Sequence, residues 1–199
     1  MADLNIDASR TALLSMDLQS GVVSIYTKDK PEFLPRVATV LNAARKNGFR
    51  VMHVQVGFRP GLPEIDPRNA LFGVIKNSTQ WQQIFQGPAG AIHPDVAPQG
   101  DEIVITKHRV NAFAGTDLDM ILRANEIHTL ILLGIATSGV VLSTLLHASD
   151  ADYRLFVVKD CCTDLDSEMH ACLTDKLFPR RATTLTTNEL LDSLQSASV

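Results

Sequence analysis

A chain of 199 residues with 45% hydrophobic and 20% charged residues has the composition of an ordinary globular protein; this excludes disordered and fibrous classes, and the length fits one domain, residues 1–199. A net charge of −4 and a pI near 5.8, with no basic run or zinc-finger spacing, leave no electrostatic footprint for phosphate backbones, so nucleic acid is not expected as a partner. The longest apolar stretch, around Leu130 to Ile135, is far short of the roughly 20 residues a membrane-spanning helix needs, so no membrane span is expected.

Met1 to Arg10 carries Asp3 and Asp7 where a secretory signal would have positive charge followed by a long apolar run, which points to the cytoplasm. Thr11 to Met16 (TALLSM) is an apolar run of buried-strand length ending at Asp17. Phe33 to Lys46 places Leu34, Val37, Val40, Leu41 and Ala44 on one helical stripe, with Gly48 as a stop. Val51 to Val56 alternates in the manner of a strand.

Between Gly57 and Gly100, six prolines break up any long element, although Ala70 to Ile75 and Gln80 to Phe85 suit short helices. A connection this long in a small domain shapes a binding site or an interface. Glu102 to Thr106 then reads as a strand ending at Lys107, Thr116 as the cap of a helix through Ala124, and Thr129 to Leu133 as a fully apolar strand. Val140 to Ser149 reads as a helix with Ser138 as its cap. Leu155 to Val158 follows as a strand, Ser167 to Leu177 as a helix capped by Ser167, Ala182 to Leu185 as a last strand and Asn188 to Leu194 as a closing helix. About six βα units predict an α/β fold: a three-layer α/β/α domain with a mostly parallel, Rossmann-like sheet and function at the carboxyl ends of the strands.

That rule picks out Asp17, Lys107 and the Gly134 to Val140 turn. Each has a bland reading alone: a turn residue, a solvated edge charge, and a strand-to-helix connection in which glycine permits unusual backbone angles. Together, DLQ at Asp17 to Gln19, Lys107 followed by Phe113 and TDL from Thr116, and GIATSGVVLSTLLHA from Gly134 resemble the isochorismatase-like, or cysteine hydrolase, family. The order and spacing hold over nearly the whole chain, and Phe178, Pro179, Arg180 and Ala182 also fit.

The resemblance implies a hydrolase of small molecules that works as a homo-oligomer, with Asp17 and Lys107 as two members of a catalytic triad. The third position, a cysteine nucleophile in most of the family, falls on Val140. It also implies a cis peptide at Ile135-Ala136 and oxyanion donors at Ala136 and Val140. Valine cannot attack a carbonyl, so the isochorismatases, which carry glycine at this position and protonate a vinyl ether from the aspartic acid, are the nearer chemical analogy. Val140 is bulkier than glycine, which weighs against isochorismate itself. A family member without a nucleophile can also be an inactive ligand-binding or oligomeric scaffold.

The nicotinamidases of the family hold a metal with an Asp-x-His pair and a further histidine. Here His53 is followed by Gln55, Gly57 and Arg59, so neither metal nor other cofactor is expected. Gln19, Phe113 and Trp81 are candidates for lining the substrate pocket, with Phe85 beside them. Three cysteines, Cys161, Cys162 and Cys172, form an odd, late cluster that argues for reduced thiols rather than a disulfide framework. Cys161 and Cys162 follow the fifth strand, where burial as small hydrophobes is the first reading. His147 and His170 lie on predicted helices.

Overall fold

Strand β1 (Thr11–Met16) is buried along its whole length, as is β4 (Thr129–Ile135), and the two pair in parallel from Thr11↔Thr129 to Met16↔Gly134. Strands covered on both faces have no polar side to present, which is why these two read as continuous apolar runs. Each large aliphatic side chain buried there contributes about 1.5–3 kcal/mol. The structure, a computed structural model, describes residue 4 and residues 6–196; Asp3 of the N-terminal reading lies outside the described residues.

β2 (Arg50–Val56) and β3 (Ile103–Lys107) continue the sheet on one side of β1, and β5 (Arg154–Thr163) and β6 (Thr183–Leu185) continue it beyond β4. The order is β3-β2-β1-β4-β5-β6, all parallel, with helices on both sides. The chain builds outward from β1 to β3 and then returns to β4 on the other flank. The strand order therefore reverses between β1 and β4, the place where open α/β sheets form a crevice at their carboxyl ends.

Helix α1 (Ser20–Tyr26) follows β1, and α2 (Phe33–Lys46) leads into β2. α2 buries Phe33, Val37, Val40, Leu41 and Ala44. The connection from β2 to β3 contains short helices α3 (Phe72–Lys76), α4 (Thr79–Ile84) and α5 (Gly87–Gly90). It carries its own small core of Leu62, Ile65, Phe72 and Ile75, against which Phe58 and Phe85 pack edge-on. α6 (Leu118–Ala124), α7 (Leu142–Asp150), α8 (Ser167–Cys172) and α9 (Thr187–Ser196) follow, with α9 packed on α2 and β5.

Four sequence readings are corrected. α1 was not expected, because SGVVSIY is rich in β-branched residues and Gln19, at its N-cap, makes no capping bond. β5 runs five residues past Val158; Lys159 and Asp160 break its apolar run, yet Asp160 is held by Arg36 and by the backbone amide and hydroxyl of Thr187. α7 begins at Leu142 after a kinked turn rather than at Val140, and Ser138 does not cap it. α8 is capped by Asp166, whose carboxylate accepts from the amides of Glu168 and Met169, one residue before the Ser167 anticipated. At α6, the Thr116 hydroxyl accepts from the Leu118 amide while Asp117 occupies the cap position.

Candidate active site

Asp17 is the first residue beyond β1. Its amide donates to the Val54 carbonyl of β2, and its φ of 56° lies in the left-handed region, which aspartate tolerates better than most residues. Lys107 ends β3, two strands away, and its Nζ reaches back to 2.8 Å from Asp17 Oδ2. The lysine also donates to the Arg109 carbonyl at 3.1 Å. The pair is buried, with 7% of Asp17 and 1% of Lys107 exposed.

Burial pushes the Asp17 carboxyl above the usual carboxylate range, and the Lys107 ammonium opposes the rise without cancelling it. Its Oδ1 is buried with no hydrogen-bond partner among the described residues. A buried carboxylate oxygen left without a donor favours the protonated form and leaves one oxygen available to a ligand.

The second half of the site comes from the end of β4. Gly134 has a φ of 140°, and a Cβ there would stand 2.1 Å from the Met16 carbonyl oxygen, so only glycine lets β4 pass β1 this closely. The Ile135-Ala136 peptide is cis. The turn of 137–141 kinks at Gly139 (φ −98°, ψ −107°) and closes on the Ala136 carbonyl, which accepts from the amides of Gly139 and Val141.

Two side chains from beyond β5 hold this turn. Asp164 Oδ2 accepts from the Ser138 amide at 2.8 Å, and His170 Nδ1 lies 2.8 Å from the Thr137 hydroxyl. Lys30 secures the same segment through the Thr163 hydroxyl and the Asp164 carbonyl. Asp164 and Lys30 were missed in the sequence; the sole hint was that Asp164 sits where a strand could end.

Asp17, Lys107, Ile135, Ala136 and Val140 line one cavity of about 480 Å³ at the carboxyl edge of the sheet. α1 walls it with Val22, Ile25 and Tyr26, and the β2–β3 connection with Phe72, Ile75 and Trp81. Val140 is buried, so a branched hydrocarbon occupies that part of the wall.

Two pocket candidates lie elsewhere. Gln19 is fully buried and its amide is spent on backbone: Nε2 donates to the carbonyls of Val56 and Gly90, and Oε1 accepts from the Val56 amide. It staples the end of β1 to β2 and to α5 instead of facing the cavity. Phe113 stacks on His147 with ring centroids 4.4 Å apart and leans on Tyr153, so its ring is consumed by packing near α7.

Cys161 and Cys162 are buried in β5 and do not line this cavity. Burial pushes the Cys161 thiol up to about 12 and raises Cys162 as well, so neither is ready to ionise. His53 is buried within β2 with Nε2 2.9 Å from Glu102 Oε2. Among the described residues, no group of three or more His, Cys, Asp or Glu side chains is placed to hold a metal ion. No helix among them is long and apolar enough to cross a membrane.

This architecture has well-matched counterparts. A cysteine hydrolase from Pseudomonas syringae pv. phaseolicola superimposes with a TM-score of 0.84 over 96% of this chain and 95% of its own, at 21% identity, a likeness of fold. In sequence, YwoC, an isochorismatase family protein of Bacillus subtilis, is 30% identical over 98% of this chain and all of its own length. Maleamate amidohydrolase of Pseudomonas putida is 29% identical over 81% of this chain and 76% of its own. The isochorismatase domain model matches residues 11–189, and the chain belongs to the isochorismatase family of small-molecule hydrolases.

Proposed function

We propose that the protein hydrolyses a small molecule by proton transfer from Asp17, without a covalent enzyme intermediate. The observation that carries this reading is the buried Asp17–Lys107 pair with Asp17 Oδ1 unpartnered. Asp17 in its neutral form donates its proton to the substrate and weakens the bond to the leaving group. Water adds to the other fragment, and its proton returns to Asp17. Lys107 fixes the carboxyl through Oδ2 and steadies negative charge during transfer. The backbone amides of Ala136 and Val140 are the proposed donors to a developing oxyanion.

Val140 at the family's nucleophile position supports a route without sulfur, because a valine side chain forms no acyl intermediate. The buried, hard-to-ionise Cys161 and Cys162 support the same reading. Two treatments on a panel of amides, ureas and enol ethers test it. Alkylating Cys161, Cys162 and Cys172 leaves turnover within a small factor, whereas Asp17→Asn lowers it by about 10² or more. Loss of turnover on alkylation, with protection by substrate, overturns the reading.

Val140 also favours a second reading, a ligand-binding member without catalysis. That reading predicts no turnover across the panel, and amidase activity in Val140→Cys. Activity gained in this way would mean that the pair and the turn are competent and that only the nucleophile is missing.

A further inference from the structure

The charges and walls of the cavity restrict what it can hold. Asp17 and Lys107 are the only side chains lining it that carry a formal charge at neutral pH, and they are 2.8 Å apart. The lysine therefore offers no uncompensated positive charge. Of its three N–H donors, one goes to Asp17 and one to the Arg109 carbonyl, leaving one for a neutral acceptor. Asp17 Oδ1 is a matching free position, buried and without a donor.

Outside this polar corner, the walls are aliphatic and aromatic, from Val22 and Ile25 on one side to Phe72 and Ile75 on the other. Apolar lining continues to the mouth, where Leu71, Val74 and Trp81 are exposed. An arginine or a second lysine, the usual means of holding a carboxylate, is absent from the lining.

We infer that the cavity takes an uncharged ligand with an apolar aliphatic or aromatic body and a compact head carrying both a carbonyl and an N–H or O–H, such as a primary amide. The carbonyl accepts the remaining Lys107 hydrogen, and the head's N–H or O–H meets Asp17 Oδ1. A carboxylate in the same place brings a second anion beside Asp17 with no cation to offset it, and burying an unpaired charge is among the costliest events in a protein interior. This inference rests on the reading of the cavity as the substrate site.

The test is calorimetric titration at pH 7 with two shape-matched pairs, hexanamide against hexanoate and phenylacetamide against phenylacetate. Each amide binds at least about tenfold tighter than its acid, because an uncompensated buried charge costs more than the 1.4 kcal/mol that a factor of ten represents. Asp17→Asn frees the Lys107 charge and reverses the order. Val74→Lys, placed at an exposed position of the mouth where folding is little affected, narrows the gap by bringing a cation to the entrance.

Acids binding as tightly as amides to the unmodified protein overturn the inference, as does failure of both amides to saturate. Selective amide binding without turnover of any panel compound keeps the ligand class and removes the hydrolase reading. Turnover of a carboxylate substrate that is lost in Asp17→Asn does the opposite.

Discussion

The backbone amide of Ser138 donates to the carboxylate of Asp164 at 2.8 Å, tying the turn after β4 to the chain leaving β5. Asp164 spends its other oxygen on the Leu165 amide, so one side chain links two consecutive βα connections. Asp164→Ala removes a charge-assisted bond in a nearly buried setting and is expected to cost about 1.5–3 kcal/mol. Urea denaturation measures the loss, and faster amide exchange at Ser138 locates it. An unchanged midpoint would mean that the turn holds its shape by other contacts.

Gly134→Ala is the most severe single substitution expected. The added methyl meets the Met16 carbonyl at 2.1 Å, and the φ of 140° is unsuited to any side chain. Backbone strain alone is of order 1–3 kcal/mol and the clash adds to it, so little folded protein should remain. Recovery of a soluble variant with a near-normal melting temperature would contradict the tight β1–β4 approach.

Gln19→Ala deletes the side chain that satisfies the Val56 amide and carbonyl and the Gly90 carbonyl. Groups left unpaired cost about 1–3 kcal/mol each where water cannot replace the partner. The prediction is a large drop in stability on thermal denaturation. A variant of full stability and weakened ligand binding would return Gln19 to the pocket.

Gln19 also shows where reading the sequence stops. Its place after the first strand was legible, but what an amide does there depends on Val56 and Gly90, 37 and 71 residues away. β1 and β4 were legible because burial on both faces leaves a continuous apolar run. Asp17 and Lys107 stood out as polar groups closing such runs. α1 was hidden by β-branched residues and a cap without a capping bond. The end of β5 was hidden by Lys159 and Asp160, whose partners lie in α2 and at the start of α9. Phe113 has the same aromatic character in a pocket as in a stack on His147.

Glu102 predicts an acid-sensitive step remote from the site. Burial alone would raise its carboxyl, but Arg45, the Gln99 amide and His53 together hold it down at about 2, below the ordinary value of 4.5. A carboxyl depressed on folding stabilises the protein above its unfolded pKa, and that contribution is lost as pH falls from 4.5 toward 2. Denaturation midpoints of the natural protein should therefore fall in this window more steeply than those of Glu102→Gln. Parallel curves would remove the assignment.

The pH dependence of kcat/KM on a substrate from the panel tests proton donation by Asp17 most directly. A neutral acid as the working form, with its pKa raised by burial, predicts a plateau at low pH and a tenfold fall per unit above that pKa. A rate that instead climbs with pH into the range where thiols ionise would identify a thiolate and contradict the account.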